Sequence, residues 1–133
     1  MRTYRYKTAL LIDDSEIDNL VHTQLIKSIS LAEQIIIKYS AIDALEFIMH
    51  SIARSLSLPD IIFLDINMPL MDGFDFLDKL ETIPSDISIW NATKIVMLSS
   101  TIDINEMIRI KEHPYINIFI CKPLTPLALL QLL

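Results

Sequence analysis

The chain is short of several residue types, and each shortage closes off a class of function. A single cysteine, Cys121, in 133 residues excludes an intrachain disulfide and fits a reducing compartment. Eleven basic residues against seventeen acidic ones leave a formal net charge of −6. That balance argues against direct nucleic-acid binding, which needs clustered Lys and Arg. No apolar run approaches the roughly 18–20 residues of a membrane span. The opening segment, MRTYRYKTALLIDD, places basic residues before an apolar run, but two aspartates arrive after about five residues, too soon for a secretory core. Low-complexity tracts, internal repeats and long linkers are missing too. Glycine occurs once, at Gly73.

Apolar residues, by contrast, are plentiful: 52% of the chain, with a mean hydropathy of +0.43. With no span to absorb them they belong in buried strands, and a chain of this length holds one domain, residues 1–133, around one core. Five runs have strand character: Thr8–Ile12, Gln34–Tyr39, Ile61–Leu64, Lys94–Leu98 and Ile116–Cys121. Helical periodicity fills the gaps. Ser15–Ile29 sets Ile17, Leu20, Val21, Leu25 and Ile29 on one stripe behind a Ser15 N-cap. Ala41–Ile52 repeats the pattern through Ala41, Leu45, Ile48 and Ile52. Phe74–Ile83 carries Phe74, Leu77 and Leu80 and stops before Pro84; Asp103–Lys111 is shorter. Thr125 before Pro126 opens a last helix running to Leu133. Two connections look long, Ser51–Leu58 and Ser85–Thr93, the second holding Trp90. Strands alternating with helices predict an α/β fold, a doubly wound parallel (βα)5 sheet; the order 2-1-3-4-5 is expected because known flavodoxin-like sheets of five strands have it, not because the pattern dictates it.

The chemistry gathers at one edge of that sheet. Asp13 and Asp14 end the first strand, Asp65 the third, Ser99 and Ser100 the fourth, and Lys122 the fifth. In a parallel sheet these ends share an edge, the one where open α/β sheets place ligands. Singly, each has an ordinary explanation: an Asp-Asp pair caps a helix, a serine forms a turn, and a Lys-Pro dipeptide is a solvated loop. Their joint occurrence at one edge is what those explanations do not produce. Like charges about 4 Å apart cost roughly 4 kcal/mol per pair at an effective dielectric near 20. Three acids therefore stay ionised together only beside cations: Lys122 and a hard divalent ion, Mg²⁺ or Mn²⁺.

Four segments in order, LLIDDS (Leu10–Ser15), LDINMPLMDG (Leu64–Gly73), VMLSS (Val96–Ser100) and FICKP (Phe119–Pro123), make the chain resemble the receiver domain of two-component response regulators, from Ala9 to Leu130. The resemblance implies that Asp65 takes a phosphoryl group from a phosphohistidine on a sensor histidine kinase or histidine phosphotransfer protein. It implies Mg²⁺ held by Asp14, Asp65 and the Asn67 carbonyl, with Asp13 acting through a coordinated water. Lys122, the Ser99 hydroxyl and the Ser100 N–H would hold phosphoryl oxygens, and the Lys122–Pro123 bond would be cis. Met68-Pro69 and Gly73 would shape the loop after Asp65, glycine through backbone angles other residues resist. Phosphorylation would draw in Ser99 and turn Phe119 from outward to inward. The readout face would be the fourth helix, fifth strand and fifth helix, where Ile104, Ile108, Leu127 and Leu130 are more apolar than a free-standing surface requires, so at least one should be exposed for a downstream protein.

Some features depart from the family pattern. Glu112-His113-Pro114-Tyr115 replaces the usual small residues before the fifth strand, and serine stands at position 99 where threonine is commoner. The remaining residues read as structural: His22, His50 and His113 on the surface or at helix flanks, Cys121 as a packed core thiol, and Met49, Met68, Met71, Met97 and Met107 as packing. The expectation is a cytoplasmic, stand-alone receiver without an effector domain or membrane contact, catalysing only its own phosphorylation and dephosphorylation, with a homodimer left open. Two other readings compete. One is a receiver-like module that binds partners without phosphorylation. The other is a haloacid-dehalogenase-like phosphohydrolase, disfavoured because its Asp-x-Asp arrangement and cap domain are not present here.

Overall fold

The computed structural model describes residues 3–83, 92–101 and 103–133. Strands and helices alternate: β1 (Tyr6–Ile12), α1 (Glu16–Ser28), β2 (Ala32–Lys38), α2 (Ala41–Ala53), β3 (Ile61–Asp65), α3 (Gly73–Glu81), β4 (Lys94–Ser99), α4 (Ile104–Glu112), β5 (Ile118–Cys121) and α5 (Pro126–Leu130). The five strands form one parallel sheet, as the alternation predicts, in the expected order β2-β1-β3-β4-β5. Every residue of β3 is buried, which is why its sequence is a continuous apolar run and not an alternation. Successive strand residues feed opposite layers. Leu10, Ile12, Ile62, Leu64, Ile95 and Met97 pack against α2 and α3, while Ala9, Leu11, Ile61, Phe63, Val96 and Leu98 pack against Ile26 of α1 and Leu129 of α5.

Each helix begins where a side chain accepts a backbone N–H: Ser15, Ser40, Asp72, Asp103 and Thr125, with Asp72 and Asp75 capping one another reciprocally. The fifth strand starts two residues later than its apolar run, because Asn117 inserts a side-chain link. Its carboxamide oxygen accepts the Ile95 N–H at 2.7 Å. The last helix stops at Leu130, not Leu133; the chain then turns to bury Leu132, and Tyr6 and Arg5 donate to the Leu132 and Leu133 carbonyls. The first long connection contracts, since α2 continues through Ser51 to Ala53. Pro84, Trp90 and most of the Ser85–Thr93 connection lie outside the described residues.

The largest departure is the rotation of α1. Ile17, Leu20 and Val21, expected on its inner stripe, are 74%, 60% and 48% exposed, and the buried residues are Asn19, His22 and Ile26. The cause is polar. Asn19 Nδ2 donates to the Asp13 carbonyl at 2.9 Å, turning a polar face of the helix toward the end of β1.

Gly73 also acts differently from expectation. Among the described residues no glycine has positive φ; Leu70, 95% exposed, supplies the left-handed residue of this loop at φ 71°. What Gly73 provides is room. Its N–H donates to the Ile66 carbonyl at 2.8 Å, and an added Cβ would lie 2.8 Å from the Asp65 carbonyl oxygen and 3.0 Å from Ile66 Cα. Both obstacles are backbone, so Gly73→Ala should lose about 1–3 kcal/mol of stability by overpacking. A denaturant titration showing an unchanged midpoint would contradict this close approach.

Candidate functional site

At the carboxyl edge β1 stops at Ile12, and the next residue, Asp13, still donates its N–H to the Lys38 carbonyl of β2. Next along the edge, Ile66 N–H donates to the Leu98 carbonyl, extending the β3–β4 pairing one residue past Asp65. Lys122 N–H donates to the Ser99 carbonyl at 2.8 Å, fixing the root of the lysine beside the end of β4. The Lys122–Pro123 bond is cis, as expected. These backbone bonds carry four separate chain segments to one place.

Their side chains converge there. Carboxylate oxygens of Asp13, Asp14 and Asp65 all lie within 4.8 Å of one another. Lys122 Nζ stands 2.6 Å from Asp13 Oδ2 and 3.3 Å from Asp65 Oδ1. Asp13 and Asp65 are buried and Asp14 is exposed, so the cluster has one open side. Asp13 is further committed, its Oδ1 accepting the Ser15 N–H at 3.0 Å. Burial, followed by the charge of Asp13, raises the Asp65 pKa from 3.8 to about 6, against the opposing pull of Lys122. Lys122 is itself held strongly protonated by its carboxylate neighbours, which outweigh its burial. The pocket thus remains short of positive charge. Three clustered oxygen donors with an open side and that deficit fit a small hard divalent cation.

Two residues unexpected from the sequence join the site. Asp18 Oδ2 lies 2.8 Å from Lys122 Nζ. It sits in the first turn of α1, where an acid is ordinarily explained by the helix dipole; the cue that could have found it is that this turn follows directly on the Asp13–Asp14 pair. His22 is not a surface residue but only 3% exposed. Burial first, then the charge of Lys122, lowers its pKa, so its imidazole stays neutral and adds no cation. It was misread because its place depends on the rotation of α1.

The other expected residues are placed as follows. Ser99 is fully buried at the end of β4, and its hydroxyl is engaged locally, donating to the Thr101 carbonyl at 2.8 Å and accepting the Thr101 N–H. Asn67 and Ser100 are exposed. Phe119 is half-buried, packed at the margin of the α2–α3 layer. Ile104, Ile108, Leu127 and Leu130 are all exposed, so the apolar face expected on α4 and α5 is present. Cys121 is exposed instead of packed: it ends an edge strand, and α4 buries only Ile110 against that side. Met49 points to solvent from α2, while Met68 and Met97 are core. His50 is exposed, and His113 is half-buried edge-on to Tyr115. Among the described residues no helix is long and apolar enough to cross a membrane.

Residues 9–133 match the family model described as Response regulator receiver domain. No curated protein matches the chain. Among solved structures, a two component response regulator from Cytophaga hutchinsonii is similar, with a TM-score of 0.86 and 28% identity over 96% of this chain and 93% of that one. A response regulator receiver protein from Dyadobacter fermentans gives a TM-score of 0.79 at 26% identity, covering 95% and 94%. A chemotaxis protein, CheY4 of Vibrio cholerae, gives 0.73 at 22% identity over 95% and 94%, a likeness of fold alone.

Proposed function

The chain belongs to the response regulator receiver domain family, and from that premise we propose that it is a phosphoacceptor switch whose acceptor is Asp65. The observation that carries this reading is the Asp65 carboxylate at the end of a buried central strand, with Lys122 Nζ at 3.3 Å and the oxygens of Asp13 and Asp14 within 4.8 Å. A carboxylate oxygen of Asp65 attacks the phosphorus of a phosphohistidine. The O–P bond forms as the P–N bond breaks, and the imidazole leaves. Such a transfer asks a protein mainly for positioning and charge neutralisation.

Asp14, Asp65 and the Asn67 carbonyl would hold Mg²⁺, or Mn²⁺, with Asp13 acting through a bound water; when present, the ion neutralises charge on the transferring group. Lys122 stabilises one phosphoryl oxygen. Ser99 takes another by giving up its bonds to Thr101, and the Ser100 N–H serves a third. Movement of the Ser99 loop makes room for Phe119 to turn inward, changing the face that carries Ile104, Ile108, Leu127 and Leu130. That face is the docking surface for a downstream protein or a second copy. The phosphoryl source is a sensor histidine kinase or a histidine phosphotransfer protein, in the cytoplasm, and residues 1–133 act as one receiver unit whose only catalysis is its own phosphorylation and dephosphorylation.

Incubation with acetyl phosphate and Mg²⁺ tests the reading by intact mass. One phosphoryl group should be gained and none in Asp65→Asn. Steady turnover of varied phosphomonoesters would instead support a phosphohydrolase, and a wild-type chain that stays unmodified would support a module that works without phosphorylation.

A further inference from the structure

A lysine ammonium has three N–H donors and no more. At Lys122 three carboxylates already surround them: Asp13 at 2.6 Å, Asp18 at 2.8 Å and Asp65 at 3.3 Å. Asp65 is the farthest, so the ammonium leans toward β1 and α1 and away from the proposed acceptor. A phosphoryl group on Asp65 takes over that carboxylate's own claim, but it brings more negative charge and sits beyond the Asp65 oxygen, so it draws the ammonium away from its two shorter contacts and one of those must yield. Asp13 is the costly one to release. Its side chain is 3% exposed, and a buried carboxylate deprived of its cation loses heavily. The Asp18 side chain is 40% exposed and can return to water.

We propose that Asp18 is a positioning residue that holds Lys122 against α1 until a phosphoryl group on Asp65 takes its place. Arrival of the phosphoryl group and release of the first turn of α1 are then one exchange, and the grip of Asp18 opposes the phosphorylated state. The inference rests on the receiver reading above and adds to it a residue outside the acid–hydroxyl–lysine set.

Beryllofluoride with Mg²⁺, a non-covalent stand-in for the phosphoryl group, is the probe. Asp18→Asn should bind it roughly fivefold more tightly, the scale of one partly exposed ion pair removed from competition. Asp18→Glu, which keeps the charge, should stay closer to the wild type. A second readout needs no metal. The Lys122 ammonium signal in nitrogen-edited NMR of the metal-free protein should sharpen with three acceptors around it, broaden in Asp18→Asn and persist in Asp18→Glu. If the wild type binds beryllofluoride and Asp18→Asn binds it equally or more weakly, or leaves the ammonium signal unchanged, the exchange is wrong while the receiver reading stands. If the wild type neither binds beryllofluoride nor is labelled at Asp65, both fall.

Discussion

Lys122→Ala should lower the stability of the metal-free protein by about 3–5 kcal/mol near neutral pH, the cost of removing the cation from a buried ion pair. Few surface-accessible lysines would come near that figure, since exposed pairs contribute about 1 kcal/mol or less. Lys122 differs because its side chain is only 11% exposed and faces Asp13, Asp18 and Asp65, and because neutral His22 offers no substitute charge. The loss should be partly recoverable in two ways. Mg²⁺ would supply positive charge to the same carboxylates, and acidification would protonate Asp65, already raised to about 6 in the wild type and raised further without the opposing pull of Lys122. Urea titrations with EDTA, with Mg²⁺ and across pH separate these contributions. A variant as stable as the wild type in EDTA would show that Lys122 does not neutralise the cluster.

Asp65→Asn should act in the opposite direction. The folded state raises the Asp65 pKa from 3.8 to about 6, chiefly through burial, so the folded protein binds this proton more tightly than the unfolded chain. Between those values the unfolded carboxyl loses its proton first, and stability falls as pH rises. Above about 6 both states are ionised and the penalty levels off at about 3 kcal/mol; below about 4 both are protonated and it vanishes. Asparagine, never charged, escapes the penalty. The variant should therefore exceed the wild type in EDTA by about 3 kcal/mol above neutrality, and the two stability curves should converge on acidification. Curves that stay parallel, or an advantage that grows on acidification, would refute the assigned direction. The same penalty is the stored demand for a cation: a divalent ion beside Asp65 would relieve the cost of ionising it.

The fold was legible because its signals are local and redundant. Ile61–Leu64 is apolar without a break because β3 is covered on both faces, and Ser15, Thr125 and the Pro126 that follows mark helix starts by their own side chains. The site was legible for a different reason: parallel strands must deliver their carboxyl ends to one edge, so acids, serines and a lysine at four strand ends imply a pocket. What escaped depended on contacts between distant segments. The apolar residues of α1 describe a stripe, yet its orientation is set by Asn19 reaching the Asp13 carbonyl, which hides His22 and aims Asp18 at Lys122. Gly73 was recognised as significant for the wrong reason, because a close approach between α3 and the backbone of Asp65 leaves no mark in local sequence. Cys121 looked like core although the expected order already put its strand at the edge; what the order does not reveal is how little of the neighbouring helix is buried there. Ser99 was placed correctly, but its bonds to Thr101 belong to a resting loop that a motif does not describe.

Borohydride trapping tests the central claim most directly, because it reduces an acyl phosphate to an alcohol and leaves a free carboxylate untouched. After treatment with acetyl phosphate and Mg²⁺, peptide mapping should find the reduced side chain at position 65 alone, and EDTA should prevent it. Reduction at Asp13 or Asp14, at several acids without preference, or at none would contradict the assignment of Asp65 as the phosphoacceptor.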